Sequence, residues 1–336
     1  MTNNCRNVFI STGHRCSIFA VAGILASTTL ASAGLNSHFN QPGDILIADQ
    51  FNNRVIEATP GGNIVWQFGL GPTDFSPKSI IGCNDAQRVG SFTLMAGTST
   101  PPGVVPQAPG GVADNRVILV DPFGNIVWQY GRFGKTGSTH GLLNTPVQCT
   151  WLPNTDVLIT DQGNNRIIEV NLAKKIVWQY PGSNTNASDQ LNSPNSAELL
   201  ENGHILIADE NNNRAIEVDA NDNLVWQFFT DTDPLSVPFP PGPLPTRAVR
   251  LANGDTLISD QFNNRVIRVN MAGTIVMSYG LPLAGGPVGS FPFGNNFGYD
   301  TQTTQNGLYS PYDAKIVGDY TGLTPPFDSD GDADDN

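Results

Sequence analysis

The chain has 336 residues, 14% of them charged, with 35 Gly, 25 Pro and a formal net charge of −13 from 17 basic and 30 acidic residues. That Gly and Pro content suits many short strands joined by tight turns and argues against long helices. The acidic balance excludes the basic surface that nucleic acid or an anionic membrane requires.

Residues 1–33 read as a secretory leader. Arg6 and Arg15 give a positive start, Ile18 to Leu25 an apolar run, and Ala31-Ser32-Ala33 a small-residue cleavage site. The apolar run is far shorter than the roughly 20 residues of a membrane span. The expectation is a secreted or periplasmic protein, cleaved after Ala33, with no membrane span in the mature chain. Loss of Arg6 and Arg15 leaves 15 basic against 30 acidic residues. Cys5 and Cys16 leave as well, so Cys83 and Cys149 remain. In an oxidising compartment these two either pair as a disulfide or stand as separate buried thiols.

From residue 44 onward one unit recurs. Residues 44–69 read DILIADQFNNRVIEATPGGNIVWQFG, 156–180 DVLITDQGNNRIIEVNLAKKIVWQY, 204–228 HILIADENNNRAIEVDANDNLVWQF and 255–280 DTLISDQFNNRVIRVNMAGTIVMSYG. A shorter copy, VADNRVILVDPFGNIVWQYG, occupies 112–131. Each unit reads as three strands separated by Asn-, Asp-, Gly- and Pro-rich turns. A further strand precedes most units: CNDAQRV at 83–89, PVQCTWL at 146–152, PNSAELL at 194–200 and PTRAVRL at 245–251. Four strands per unit, repeated, make an all-β propeller, because no unit can bury both faces alone. The reading favours five four-stranded blades over residues 34–320, with PYDAKIV at 311–317 supplying the first strand of blade one and closing the ring. Six blades remain open if the Gly- and Pro-rich stretch 281–308 holds a divergent one. Residues 97–111 interrupt blade two.

Residues 321–336 form an acidic tail, expected to be disordered without a ligand. Asp328, Asp330, Asp332 and Asp334 alternate with small residues around Gly331, a spacing like that of calcium-binding loops, although the closing bidentate Glu is missing. This spacing points to calcium as a cofactor.

The units resemble NHL-type repeats and the blades of arylsulfotransferase-like and quinoprotein-like propellers. The resemblance rests on LPN…VLITDQGNNRIIEV at 152–170 and on the NIVWQ strands starting at Asn63 and Asn125, and it spans roughly residues 44–317. It implies a propeller but no single activity, since such propellers include enzymes, sensors and adhesion scaffolds.

Asp49, Asp161, Asp209 and Asp260 open a turn in their units, and Arg54, Arg116, Arg166, Arg214 and Arg265 close it. Residues repeated in every blade serve the blade, so these, like Trp66, Trp128, Trp178 and Trp226, read as structural. Function is sought where the symmetry breaks. The third position of the first strands holds Asp85, Gln148, Ser196, Arg247 and Asp313, an assortment suited to a ligand site. His140, in the Gly-rich loop before residue 146, is the candidate catalytic base. The leading reading is an exported scaffold that binds a protein or small-molecule ligand without chemistry. The alternatives are a lyase, lactonase or sulfotransferase acting at the channel mouth, and a quinone-dependent oxidoreductase.

Overall fold

The computed structural model describes residues 36–183, 185–232, 243–279 and 311–315. The leader, the stretch 281–308 and the tail with Asp328, Asp330, Asp332 and Asp334 lie outside them. Five antiparallel sheets follow one another along the chain as propeller blades. The first holds β1 (Ile45–Asp49), β2 (Arg54–Ala58) and β3 (Ile64–Phe68). The second holds β4 (Cys83–Val89), β5 (Phe92–Thr100), β6 (Val112–Val120) and β7 (Ile126–Gly131). The third holds β8 (Pro146–Trp151), β9 (Val157–Asp161), β10 (Arg166–Val170) and β11 (Ile176–Tyr180). The fourth holds β12 (Pro194–Leu199), β13 (Ile205–Asp209), β14 (Arg214–Val218) and β15 (Leu224–Phe229). The fifth holds β16 (Pro245–Arg250), β17 (Thr256–Asp260), β18 (Arg265–Val269) and β19 (Ile275–Tyr279).

The described residues divide into two compact units, one reaching Tyr180 with three sheets and the other starting at Pro181 with two. In the first sheet, as described, there are three strands. Of the expected closing strand 311–317, residues 311–315 carry no strand and the last two lie outside the description. No helix among the described residues is long and apolar enough to cross a membrane.

The middle strands are buried throughout in β9, β10, β13 and β14. That is why they read as continuous β-branched runs rather than alternating ones. In the first unit, one core joins Leu94, Leu119, Trp128, Trp151, Ile159 and Ile168 across the second and third sheets. In the second unit, Leu206, Ala215, Phe228, Ala248, Ile258 and Ile267 join the fourth and fifth. Trp side chains of the outer strands stitch neighbours together: Trp66 Nε1 donates to Pro122 O at 3.0 Å and Trp128 Nε1 to Leu172 O at 3.2 Å.

The motif Asp-x-x-Asn-Asn-Arg shapes one corner four times. Asp161 closes β9, a short 3-10 turn follows, and Asn165 takes φ 54°, a left-handed conformation that Asn tolerates well. Asp161 Oδ2 accepts from Arg166 Nε at 2.7 Å and from Asn164 Nδ2 at 2.7 Å. The same pairing joins Asp49 with Arg54, Asp209 with Arg214 and Asp260 with Arg265, each at 2.7 Å. The second sheet solves the problem differently. Gly97 stands opposite Arg116, where the other sheets place their Asp. A Cβ on Gly97 would lie 2.6 Å from Asp114 Oδ2, so the carboxylate comes from β6 into the space the missing side chain leaves.

The expected interruption at 97–111 is shorter in the structure. β5 continues through Thr98, Ser99 and Thr100, pairing Ser99 with Ala113 and Thr100 with Val112. Two β-branched Thr favour extension, and Pro101 and Pro102, which have no N–H to give, end it. The loop is 101–111.

Candidate ligand site on the first strands of the fourth and fifth sheets

The polar residues repeated in each blade are already committed. Arg166 Nη1 donates to Ser138 O at 3.0 Å and Nη2 to Leu142 O at 3.3 Å, pinning the loop that leads into β8. Arg214 holds Ser188 O and Gln190 O in the same way before β12, and Arg116 holds Pro77 O and Ser79 O before β4. A buried guanidinium with its donors shared between a carboxylate and two carbonyls is a structural fixture.

The first strands differ. In all four of the sheets that have one, a β-bulge separates the first and third residues: Cys83/Asp85, Pro146/Gln148, Pro194/Ser196 and Pro245/Arg247. The residue before each bulge, Gly82, Thr145, Ser193 or Leu244, takes φ between 48° and 59°. Bulges re-aim side chains, and here they present the symmetry-breaking third position.

In the first unit those side chains bridge neighbouring sheets. Asp85 Oδ2 accepts from Cys149 N at 3.0 Å, and Gln87 Oε1, two residues on, accepts from Trp151 N at 2.8 Å. They satisfy the backbone edge of β8. Gln148 is half-buried on that strand. Cys83 and Cys149 are both buried free thiols. Burial and the Asp85 carboxylate push the Cys83 thiol well above its ordinary range, and Cys149 is raised for the same reasons.

The second unit concentrates more varied chemistry. Arg247 is 8% exposed. Its Nη1 donates to Asn195 Oδ1 at 2.7 Å, Asn195 O at 3.1 Å and Thr246 O at 3.1 Å. The Tyr312 ring lies 5.0 Å from the guanidinium carbon, and Tyr312 Oη donates to Asn195 Oδ1 at 2.9 Å. Asn195 Nδ2 in turn donates to Glu210 Oε2 at 2.7 Å. Burial raises Glu210 above the usual carboxylate range, against the pull of that bond and of Arg247. Further along β12, Glu198 Oε2 accepts from Arg250 N at 3.2 Å, the counterpart of the Gln87 bridge. Burial pushes Glu198 up to about 7, opposed by the Arg250 amide and by Lys315 and Arg250, and assisted by Asp313. Asp313 pairs with Lys315 at 2.8 Å on the surface.

Of the sequence candidates, Ser196, Arg247 and Asp313 belong to the second unit, Ser196 and Arg247 on adjacent first strands. Asp85 and Gln148 belong to the first. His140 is an exposed loop residue whose ring meets Tyr130 edge-on at 6.2 Å, between the two carbonyls that Arg166 holds. Among the described residues, no three His, Cys, Asp or Glu side chains converge as metal ligands. Sequence reasoning passed over Asn195, Glu198, Ser259 and Tyr312. Ser259 had a visible signal, since its counterparts in the first and fourth repeats are Ala48 and Ala208. Asn195 and Tyr312 had none, because they matter through contacts far apart in sequence.

No family model and no curated protein sequence matches the chain. Its backbone is similar to virginiamycin B lyase from Staphylococcus aureus, at 15% identity and TM-score 0.47, covering 73% of this chain and 69% of that one. A streptogramin B lyase gives 14% identity and TM-score 0.48, covering 72% and 66% of the two chains. A protein of unknown function from Bacteroides caccae gives 15% and 0.47, covering 71% and 73%. No residue role passes from these proteins to this one. The assignment as a β-propeller of repeated blades rests on the sheets themselves.

Proposed function

We propose that this chain is an exported β-propeller scaffold that binds a small-molecule or protein ligand without transforming it. The observation that supports the reading is the commitment of the shared polar residues. In the second, third and fourth blades the turn Arg holds backbone carbonyls of the loop before its own first strand, and the Trp indoles of the first two blades bind their neighbours. His140, the one catalytic candidate, stands on a pinned loop with Tyr130 as its only ring partner among the described residues. What is left for function is the irregular first-strand row, whose richest part is the cluster of Asn195, Ser196, Glu198, Arg247 and Tyr312. Binding needs such convergent polar groups.

The test is a thermal-shift and calorimetric screen of the mature protein against defined organic acids, sugars and short peptides. Each binder is recovered and weighed by mass spectrometry. The expected result is at least one ligand that stabilises the fold and comes back unchanged. A ligand recovered cleaved, eliminated or hydrolysed overturns the scaffold reading in favour of a lyase-, lactonase- or sulfotransferase-type enzyme.

A further inference from the structure

Arg247 makes no ion pair among the described residues, although it is 8% exposed. Every other arginine buried to this extent has a carboxylate: Arg88 has Glu57, Arg116 Asp114, Arg166 Asp161, Arg214 Asp209 and Arg265 Asp260. A buried charge without a counter-charge is costly and persists where something else meets it. The field of Glu210 reaches Arg247, but its bonded oxygen is taken by Asn195.

Two hydroxyls beside this arginine are in the same condition. Ser259 stands directly opposite Arg247 in the β16–β17 ladder, so the two side chains share a face. Ser196 holds the equivalent third position on β12, next in the chain to the Asn195 that Arg247 grips. Ser196 is 3% and Ser259 1% exposed, and neither Oγ has a hydrogen-bond partner among the described residues. Buried hydroxyls are normally satisfied. The corresponding positions are Ala48 on β1, Ala96 on β5 and Ala208 on β13, so the hydroxyl at 259 is not a requirement of the blade.

A guanidinium with no carboxylate in direct contact and two hydroxyls without acceptors, among the described residues, share one missing partner, an anion with several acceptor oxygens. Building on the scaffold reading, we infer that Arg247, Ser196 and Ser259 form an oxyanion subsite, which holds the carboxylate or phosphate group of a small organic ligand. Arg247 supplies charge, the hydroxyls supply donors, and the Tyr312 ring over the guanidinium limits how an entering group approaches.

Succinate and inorganic phosphate are the probes, titrated into the mature protein at fixed ionic strength, with thermal shift and calorimetry as readouts. We expect saturable binding of at least one, with a response to succinate alone assigning a carboxylate and to phosphate alone a phosphate ester. Arg247→Met should weaken it at least tenfold, and Ser196→Ala and Ser259→Ala about threefold or more each. Absence of saturable binding of both probes, or equal binding by Arg247→Met, overturns the subsite. If Arg247→Met does not fold, the serine variants decide, since each removes one oxygen only, and unchanged affinity in both overturns it. Failure of the subsite leaves the scaffold reading standing when the wider screen still returns an unaltered neutral ligand. The scaffold reading fails separately, on a ligand recovered altered.

Discussion

Arg88, on β4 of the second sheet, reaches back to Glu57 on β2 of the first, and both are buried. The guanidinium also lies 5.0 Å from the Trp66 ring. Arg250 repeats the arrangement with Glu217 at 2.7 Å and Trp226 at 5.5 Å. Between the second and third sheets the same two positions hold Trp151 and Leu119, inside one apolar core. The charged and apolar versions are alternative solutions to one packing problem.

Burial raises Glu57 and lowers Arg88, the desolvation that their attraction offsets. Glu57→Leu alone strands a buried cation and should destabilise by about 3–5 kcal/mol. Glu57→Leu with Arg88→Trp, copying the second junction, should recover most of that loss. Urea unfolding of the two single variants and the double variant measures the coupling.

Arg166→Ala should cost about 3 kcal/mol, because it leaves Asp161 buried beside Asn164 alone on that oxygen and releases two carbonyls. Hydrogen exchange should rise first at residues 137–142, ahead of β9 and β10. Uniform exchange across the third sheet would argue against the loop-pinning role.

The Asp156 carboxyl is pushed up to about 6 by burial and then by the adjacent Glu169, while Asn154 bridges the two acids. A raised acid pKa means the folded state binds the extra proton. The group therefore loses the protein stability as pH rises from about 4 to about 6. Asp156→Asn should be neutral below pH 4 and stabilising by about 1 kcal/mol at pH 7, a figure reduced for its partial exposure. Thermal melts of both proteins from pH 3.5 to 8 test the crossover.

Trp66→Phe removes a bond to Pro122 O, whereas Trp226→Phe removes a buried indole N–H that has no partner among the described residues. The first substitution should cost about 1 kcal/mol more than the second. Equal costs would mean that the indole bond carries no net weight at the first junction.

Export is tested directly by expression with the native leader and sequencing of the product. The expected mature N-terminus is Gly34. An intact Met1 would remove the exported half of the proposal.

The repeats made the blade legible in the sequence. Four near-identical copies of the Asp-x-x-Asn-Asn-Arg corner identify strand, turn and strand without reference to any partner, and the structure keeps Asp and Arg together in each. The third position of the first strands was legible as the place where symmetry fails. What those side chains touch was not, since Asp85 meets Cys149 and Arg247 meets Asn195 across sheets, and no local pattern encodes such distances. The error at residues 97–100 has the same origin. Gly97 reads locally as a breaker, yet it is a strand residue kept small for a carboxylate arriving from β6.

Thr145, Ser193 and Leu244 each hold a left-handed backbone just before a proline that begins a first strand. An L-residue there gives up about 1–2 kcal/mol relative to its relaxed state, so these corners do not form by themselves. Contacts from the preceding blade hold two of them: Thr145 N bonds to Asn115 Oδ1 and Leu244 N to Asn213 Oδ1. A single repeat made as a peptide should therefore leave its leading corner open. During synthesis the corners at Thr145 and Leu244 stay unset until Asn115 and Asn213 behind them are already in place, which gives the growing chain a direction there, with the finished blade acting as the template for the entrance to the next.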